Sequence, residues 1–227
     1  MPHTLFTSRS GGVSAPPYDS FNLASHVGDD PGAVTQNREL LSGLINLPLN
    51  QIFFMNQVHG NEVAVIEESS DSTINPSVDA LFTTVPGRAL VTLVADCTPL
   101  LLKSDRAIAA VHVGRKGLVA KVLEATLKVF DSYEISTNEI SAEIGPSICP
   151  DCYEVDLKTY REVISANPEA GTDESRHCLD VAGGLKARLA LAGIPFKSSD
   201  VCVKHTPGYF SYRRDDVTGR QAGVIWL

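Results

Sequence analysis

The stretch ALVTLVADCTPLLLKSDRAIAAVHV, residues 89–113, decides how this 227-residue chain is read. Ala89, Leu90, Val91, Leu93 and Val94 make one apolar run, and Leu100, Leu101 and Leu102 make a second. Runs with so little polar alternation are expected of strands covered on both faces. Ser104-Asp105-Arg106 is a turn signal between residues 100–103 and a third strand over 107–113. A two-residue turn at Ser104-Asp105 pairs Lys103 with Arg106, and continuing that register carries Cys97 opposite His112. Directly opposed residues have Cβ atoms ~5 Å apart, near enough to share a metal or a proton. Pro99 cannot donate to a ladder and marks a place for a bulge in this register.

The flanking segments extend the pattern. Residues 4–9 read as an opening strand, followed by a loop rich in Gly, Pro and Ser over 10–20. Asp30-Pro31 joins an N-cap to a proline at the first helical position, and Leu40, Leu41, Leu44 and Ile45 give that helix its apolar face. Residues 52–58, 62–67 and 80–84 are strand-like, and 117–130 form one amphipathic helix on Leu118, Val122, Leu123, Leu127 and Phe130. A strand over 139–144, a helix over 157–166 and a helix capped by Asp180 and ending near Gly193 follow, then late strands over 201–204 and 224–227. Strands joined both by short hairpins and by helices imply an α+β or mixed α/β fold in a single domain, residues 1–227.

Composition removes several classes of function. Hydrophobic residues at 43% and charged residues at 20% are those of an ordinary globular chain. No apolar run approaches the ~20 residues of a membrane span. A net charge of −8 argues against a general nucleic-acid binder, which presents a basic face. The opening Met1-Pro2-His3-Thr4 has neither a charged n-region nor an apolar h-region, so the expectation is a cytoplasmic protein. The five cysteines lack a disulfide-scaffold spacing, which favours free thiols or metal ligands over bridges.

Three residues carry most of the candidate chemistry: His59 in Asn56-Gln57-Val58-His59-Gly60, Cys97 in Ala95-Asp96-Cys97-Thr98-Pro99, and His112 in Ala110-Val111-His112-Val113-Gly114. If they converge, one thiolate and two imidazoles suit zinc, and three protein ligands leave the fourth position open, as in catalytic sites. Singly, each fits a plainer role: a hydrogen-bonded turn histidine, a small core cysteine, a satisfied core histidine. Asp96 is an acceptor that orients a ligating histidine, a general acid or base, or a cap for the turn at Thr98. Gly114-Arg115-Lys116-Gly117 opens a helix, so its N-terminus and cations form a candidate anion site. Arg9, before Gly11-Gly12, and Arg214, in Tyr212-Arg213-Arg214-Asp215, are further candidates for gripping phosphate. Cys149-Pro150-Asp151-Cys152 is a CxxC without a second CxxC, which supports neither a zinc ribbon nor a thioredoxin motif. On this reading Cys152 lies near the site at most and Cys149 is incidental.

Taken in order, these motifs resemble the YfiH-type family, also called the laccase-domain or multicopper polyphenol oxidase family and associated with purine nucleoside phosphorylase activity. The resemblance rests on Thr7-Ser8-Arg9-Ser10-Gly11-Gly12-Val13-Ser14, Phe21-Asn22-Leu23-Ala24-Ser25-His26-Val27-Gly28-Asp29-Asp30, Gln57-Val58-His59-Gly60 and Asp79-Ala80-Leu81. It continues through Ala95-Asp96-Cys97-Thr98-Pro99, Ala110-Val111-His112, Ile144-Gly145-Pro146-Ser147-Ile148, Cys152-Tyr153-Glu154-Val155 and Phe210-Ser211-Tyr212-Arg213-Arg214-Asp215 to Ile225-Trp226-Leu227. It implies an α-β-β-α sandwich with mixed sheets, a mostly cytoplasmic family, and zinc held by His59, Cys97 and His112. The implied reactions are phosphorolysis of adenosine, inosine, guanosine and methylthioadenosine, and hydrolytic deamination of adenosine. Two departures stand out. Arg115-Lys116 replaces the family's usual Trp-Arg, removing an aromatic wall and a bidentate fork, and Cys149 stands where the motif usually has Gly.

Three other readings compete. A multicopper oxidase needs a type-1 copper and a trinuclear cluster, yet the chain has six histidines, of which His3, His177 and His205 lie outside the blocks that form the proposed site. Met55, on the same strand face as His59, imitates an axial ligand, so a single copper is conceivable and a laccase disfavoured. A metal-free Cys97–His112 dyad would make a cysteine hydrolase or amidase and would not need His59. The third is a non-catalytic nucleoside-binding or peptidoglycan-editing accessory protein. The expectation taken forward is a zinc-dependent purine nucleoside enzyme with Asp96 as proton carrier and Arg9, Lys116 and Arg214 as candidate phosphate ligands. Its partners are purine nucleosides and phosphate, with no nucleic acid or membrane, in a monomer or small homo-oligomer.

Overall fold

A computed structural model of the chain describes residues 1–172 and 174–227. Among them the strands are β1 (His3–Phe6), β2 (Ile52–Phe53), β3 (Val63–Val65), β4 (Ala80–Thr83), β5 (Ala89–Val94), β6 (Thr98–Lys103), β7 (Ile108–Val113), β8 (Ser141–Ile144), β9 (Phe196–Ser198) and β10 (Gln221–Trp226). The α-helices are α1 (Pro31–Ile45), α2 (Arg115–Val119), α3 (Val122–Ser132), α4 (Leu157–Ala166), α5 (Val181–Leu191) and α6 (Tyr212–Asp215). None of these helices is long and apolar enough to cross a membrane.

Two mixed sheets form, one in the order β1-β10-β5-β2 and the other β3-β4-β7-β6-β8-β9. Their inner faces meet on Phe53, Leu81, Leu90, Leu101, Ile108, Ala110 and Ile225. The outer face of the larger sheet packs Phe82, Leu100, Leu102 and Val111 against Leu118, Leu123, Tyr160 and Leu185 of α2 to α5. The outer face of the smaller sheet packs Val91 and Val224 against Leu41 and Ile45 of α1. The layers are therefore α-β-β-α, as the family resemblance implied. The apolar runs now have a physical reason. Leu101 points between the sheets while Leu100 and Leu102 point at helices, so the period-two alternation of a strand is hidden because both faces are dry. Removing the fully buried Leu101 side chain down to Ala should cost about 2–5 kcal/mol.

The central hairpin forms, but in a different register. Lys103 faces Ile108 and Pro99 faces His112, so Cys97 lies diagonal to His112 rather than opposite it. The reason is Ser104. Its hydroxyl accepts from the backbone N–H groups of Arg106 and Ala107, and its own N–H bonds Ala107, which makes a longer turn. A slip of two residues keeps side-chain parity, so His112 follows Ile108 and Ala110 onto the inter-sheet face, still beside Cys97. Pro99 introduces no bulge, because β6 runs unbroken from Thr98.

Other elements differ in extent. The strand expected over 52–58 ends at Phe53, and Met55 packs in the inter-sheet core instead of alongside His59. The helix expected over 117–130 is two helices, broken where Lys121 takes φ 65°. Asn61 Nδ2 donates to the freed Ala120 carbonyl at 2.7 Å, and the break lets α2 and α3 pack in different directions. Residues 201–204 form a turn, with only a single bridge from Cys202 to Ser147.

Candidate metal centre

The site lies where β5 and β7 end and the chain enters β6. Each donor has its own local cause. Gln57 acts as a substitute ladder residue, its side-chain amide donating to the Leu93 carbonyl at 2.7 Å and accepting from the Leu93 N–H at 2.8 Å. This pins the loop after β2 along the edge of β5. Asp79, just before β4 and fully buried, then collects the turn: the backbone N–H groups of His59 (2.9 Å) and Gly60 (2.5 Å) donate to its carboxylate. His59 is held at φ 60°, a left-handed conformation that costs a non-glycine residue energy and is fixed here by those bonds. Asp96 takes φ 100° at the end of β5 and turns Cys97 into the same space.

The result is a cluster in which one donor atom each from His59, Cys97 and His112 lies within 4.8 Å of the others. His59 Nε2 is 3.9 Å from Cys97 Sγ. His112 is buried and donates from Nδ1 to Asp79 Oδ1 at 2.8 Å, leaving Nε2 as its donor toward the cluster. Burial pushes the Asp79 carboxyl up, but the donors from His112, Gly60 and His59 outweigh it and hold it below the usual carboxylate range. Burial also raises the Cys97 thiol, yet the His112 charge and hydrogen bonds from both imidazoles bring it down to about 6. Against its own burial, the Cys97 thiolate and the Asp79 carboxylate carry His112 up to about 9. Gly114 closes the shell: a Cβ there would meet His59 Cδ2 at 2.9 Å and Cys97 Sγ at 3.2 Å.

A cavity of about 410 Å³ opens on this cluster, within the range of small-molecule sites. Tyr153 and Tyr212 give it aromatic walls, and Arg115, Arg213 and Arg220 give it positive charge. His26 also faces it, its imidazole pushed below its ordinary range by burial and by the charges of Arg220 and Arg38.

Of the residues singled out in the sequence, the structure brings His59, Cys97, His112 and Asp96 to this cavity and leaves Arg9, Lys116 and Arg214 out of its lining. Arg9 bonds Asp19 and Asp215 and lies over the Phe210 ring. Arg214 is spent on Asp215 and on the carbonyls of Val203 and Tyr209. Lys116 is exposed, whereas Arg115 beside it turns inward. Asp96 accepts from Ser211 Oγ at 2.6 Å and from the Arg213 N–H at 2.7 Å, which seats α6 on the cavity rim. Orientation of His112 belongs to Asp79, which sequence reasoning missed. Its available signal was an ionisable residue immediately preceding a fully buried strand. Cys149, expected to be incidental, instead joins Cys152, Cys202 and His205 in a second donor cluster, while Cys152 adjoins Tyr153 of the cavity lining.

Geometry thus defines a class: an α-β-β-α sandwich with a three-donor, carboxylate-backed candidate metal centre at the edge of its sheets. The chain belongs to the multi-copper polyphenol oxidoreductase laccase family, whose family model matches residues 3–227. It is 43% identical over 230 residues to a purine nucleoside phosphorylase of Streptomyces coelicolor, covering 99% of this chain and 95% of that one. It is 34% identical to purine nucleoside phosphorylase YfiH of Shigella flexneri, covering 97% and 92%. A crystal structure of a Neisseria meningitidis protein superposes with a TM-score of 0.88 at 33% identity, covering 100% of this chain and 94% of that one. The YfiH-type resemblance read from the motifs is thereby borne out.

Proposed function

We propose that this chain is a zinc-dependent purine nucleoside enzyme, and that residues 1–227 act as one cytoplasmic catalytic domain. Its reactions are phosphorolysis of adenosine, inosine, guanosine and methylthioadenosine and hydrolytic deamination of adenosine, with no nucleic acid or membrane as partner. The observation that carries the reading is His59 Nε2 at 3.9 Å from Cys97 Sγ, in a cluster that also includes His112. Tetrahedral bonds of ~2.3 Å to sulfur and ~2.05 Å to nitrogen put such donors about 3.6 Å apart, so the residues fit zinc. Similarity to relatives called purine nucleoside phosphorylases supports phosphorolysis. Copper oxidation fits less well. Among the described residues His3 stacks on Trp226, His177 packs at a tilt beside Tyr160, and His205 belongs to the other cluster, which leaves too few histidines here for a type-1 and a trinuclear centre.

A zinc ion held by His59, Cys97 and His112 would supply Lewis acidity, enough to lower the pKa of water from ~15.7 to about 7. The chain's own residues do the rest. Asp79 fixes the tautomer and angle of His112. Arg115, Arg213 and Arg220 are the cations positioned to hold phosphate for attack on C1′ of the ribose. Tyr153 and Tyr212 offer faces for the purine, and Arg115 takes the place of the family's aromatic wall with a flat cation that also stacks. Asp96 is the carboxylate at hand to carry a proton, while its bonds to Ser211 and Arg213 position α6. The test is metal content together with inosine and adenosine turnover, with and without phosphate, in His59→Ala, Cys97→Ala and His112→Ala. Joint loss of one metal and of turnover supports the proposal; full turnover without the metal overturns it.

One observation favours a second reading, a metal-free cysteine hydrolase. Cys97 brought to about 6 and His112 raised to about 9, with Asp79 behind, resemble a nucleophile–base–orienter series. It gives no reason for His59 to be held at φ 60° against the sulfur. A His59→Ala protein with intact turnover would move this reading to first place.

A further inference from the structure

Away from β7, the chain carries a second cluster that the proposed reaction does not use. Cys149, Cys152, Cys202 and His205 each offer one donor atom, and the four atoms lie within 4.8 Å of one another. They come from two short turns. In the first, a 3₁₀ turn over Pro150–Cys152 is closed by the Cys152 N–H donating to the Cys149 carbonyl at 3.1 Å. In the second, the N–H groups of His205 (3.2 Å) and Thr206 (3.1 Å) donate to the Cys202 carbonyl. The spacings match, CxxC in one and CxxH in the other. The turns are sewn together by the Val203 N–H donating to the Ser147 carbonyl at 3.1 Å and by the Cys149 N–H donating to Cys202 Sγ at 3.3 Å. Cys152 Sγ and His205 Nε2 approach to 3.0 Å.

Three sulfurs and one imidazole nitrogen converging from paired CxxC and CxxH turns are the full donor set of a closed tetrahedral zinc site. A disulfide would use two of the sulfurs and give the histidine no task. We propose that Cys149, Cys152, Cys202 and His205 form a second metal site, which binds zinc structurally and clamps the segment carrying Ile148 and Tyr153 of the cavity wall to the turn that anchors α6. The clamp has direct mechanical links to that wall. Ile148, next to Cys149, donates its N–H to the Asp96 carbonyl at 2.9 Å, and Tyr153, next to Cys152, lines the cavity. On the other side Arg214 Nη1 bonds the carbonyl of Val203, inside the second turn, at 2.8 Å. Arg214 belongs to α6, whose Arg213 N–H donates to Asp96 Oδ2. Three thiolates, a neutral histidine and Zn²⁺ sum to one negative charge, and Lys204, between Cys202 and His205 in the same turn, carries the opposite charge.

The inference is independent of the purine chemistry, and its test reads metal rather than turnover. Full-length protein produced with zinc is dialysed and its metal measured per chain, beside Cys97→Ser and Cys202→Ser. Wild type should hold about two equivalents and each variant about one. In Cys97→Ser reloaded with Co²⁺, an intense thiolate-to-cobalt band should remain, because three sulfur donors persist. This arm leaves the second cluster unaltered, so it stands even if Cys202→Ser does not fold. A Cys97→Ser protein that folds, holds no zinc and shows no thiolate–cobalt band would overturn the proposal. So would a disulfide among Cys149, Cys152 and Cys202 in the intact mass of protein purified without reductant.

Discussion

His112 lies on β7, Cys97 on the turn from β5 to β6 and His59 on a loop tied to Leu93 and Asp79, whereas Cys149, Cys152, Cys202 and His205 sit on two short turns remote from that junction. The first cluster offers three donors, backs one of them with a buried carboxylate and opens on a cavity of about 410 Å³. The second offers four donors and turns its links outward into the chain. Three donors with room beside them suit chemistry, and four suit a closed, load-carrying site. On these proposals one chain would separate a centre suited to exchange from one suited to rigidity, and Asp96 and α6 link the two clusters.

The comparison can be broken by substitution. Cys97→Ala should remove one metal and lower nucleoside turnover by on the order of 10³-fold, while the second metal stays bound. If metal content falls to zero, the two clusters are not independent. Asp79→Asn should come next, at about 10–100-fold in metal affinity or activity, because it weakens the acceptor that fixes His112 and the His59 turn together. Competition against a chelator measures the first effect. Gly114→Ala should be milder, roughly tenfold in affinity, since the new methyl presses on His59 and Cys97 but not on the sheets. A Gly114→Ala protein with wild-type affinity would show that the first cluster is looser than its contacts suggest.

A smaller effect tests the electrostatics. In metal-free protein the Cys97 thiol is brought to about 6, so the reactive thiolate is present above that pH and lost below it. Alkylation at Cys97, followed by peptide mass mapping, should rise through pH about 6 and level off. In His112→Ala the midpoint should move up toward the ordinary thiol value of 9.0, because the opposing charge is gone. An unmoved midpoint would mean that His112 does not hold the thiolate.

The sequence made the layered fold legible where burial is two-sided, as in β5 to β7, because such strands leave long apolar runs. The exact register was not legible, since Ser104 decides it through hydrogen bonds that leave no pattern in hydrophobicity. Parity rescued the consequence: a slip of two keeps Cys97 and His112 on one side. His59 joins the set mainly through family resemblance, because the bonds that place its loop, from His59 to Asp79 and from Gln57 to Leu93, span 20 and 36 residues of sequence. Arg9 and Arg214 look like phosphate ligands in one dimension, whereas in the fold Arg9 pairs with Asp19 and Asp215, and Arg214 with Asp215 and loop carbonyls. The CxxC at Cys149 stands without a second CxxC in the sequence. The complement is the CxxH of Cys202 and His205, some 50 residues on, in a segment whose valines imitate a strand.

The central claim is that His59, Cys97 and His112 hold the metal on which purine nucleoside phosphorolysis depends. The most direct measurement compares phosphate-dependent release of hypoxanthine from inosine by wild type and by folded His59→Ala protein, with metal counted in the same samples. The account predicts that His59→Ala holds one metal fewer and releases base at no more than about one-thousandth of the wild-type rate. Wild-type release by a His59→Ala protein that lacks that metal would contradict it.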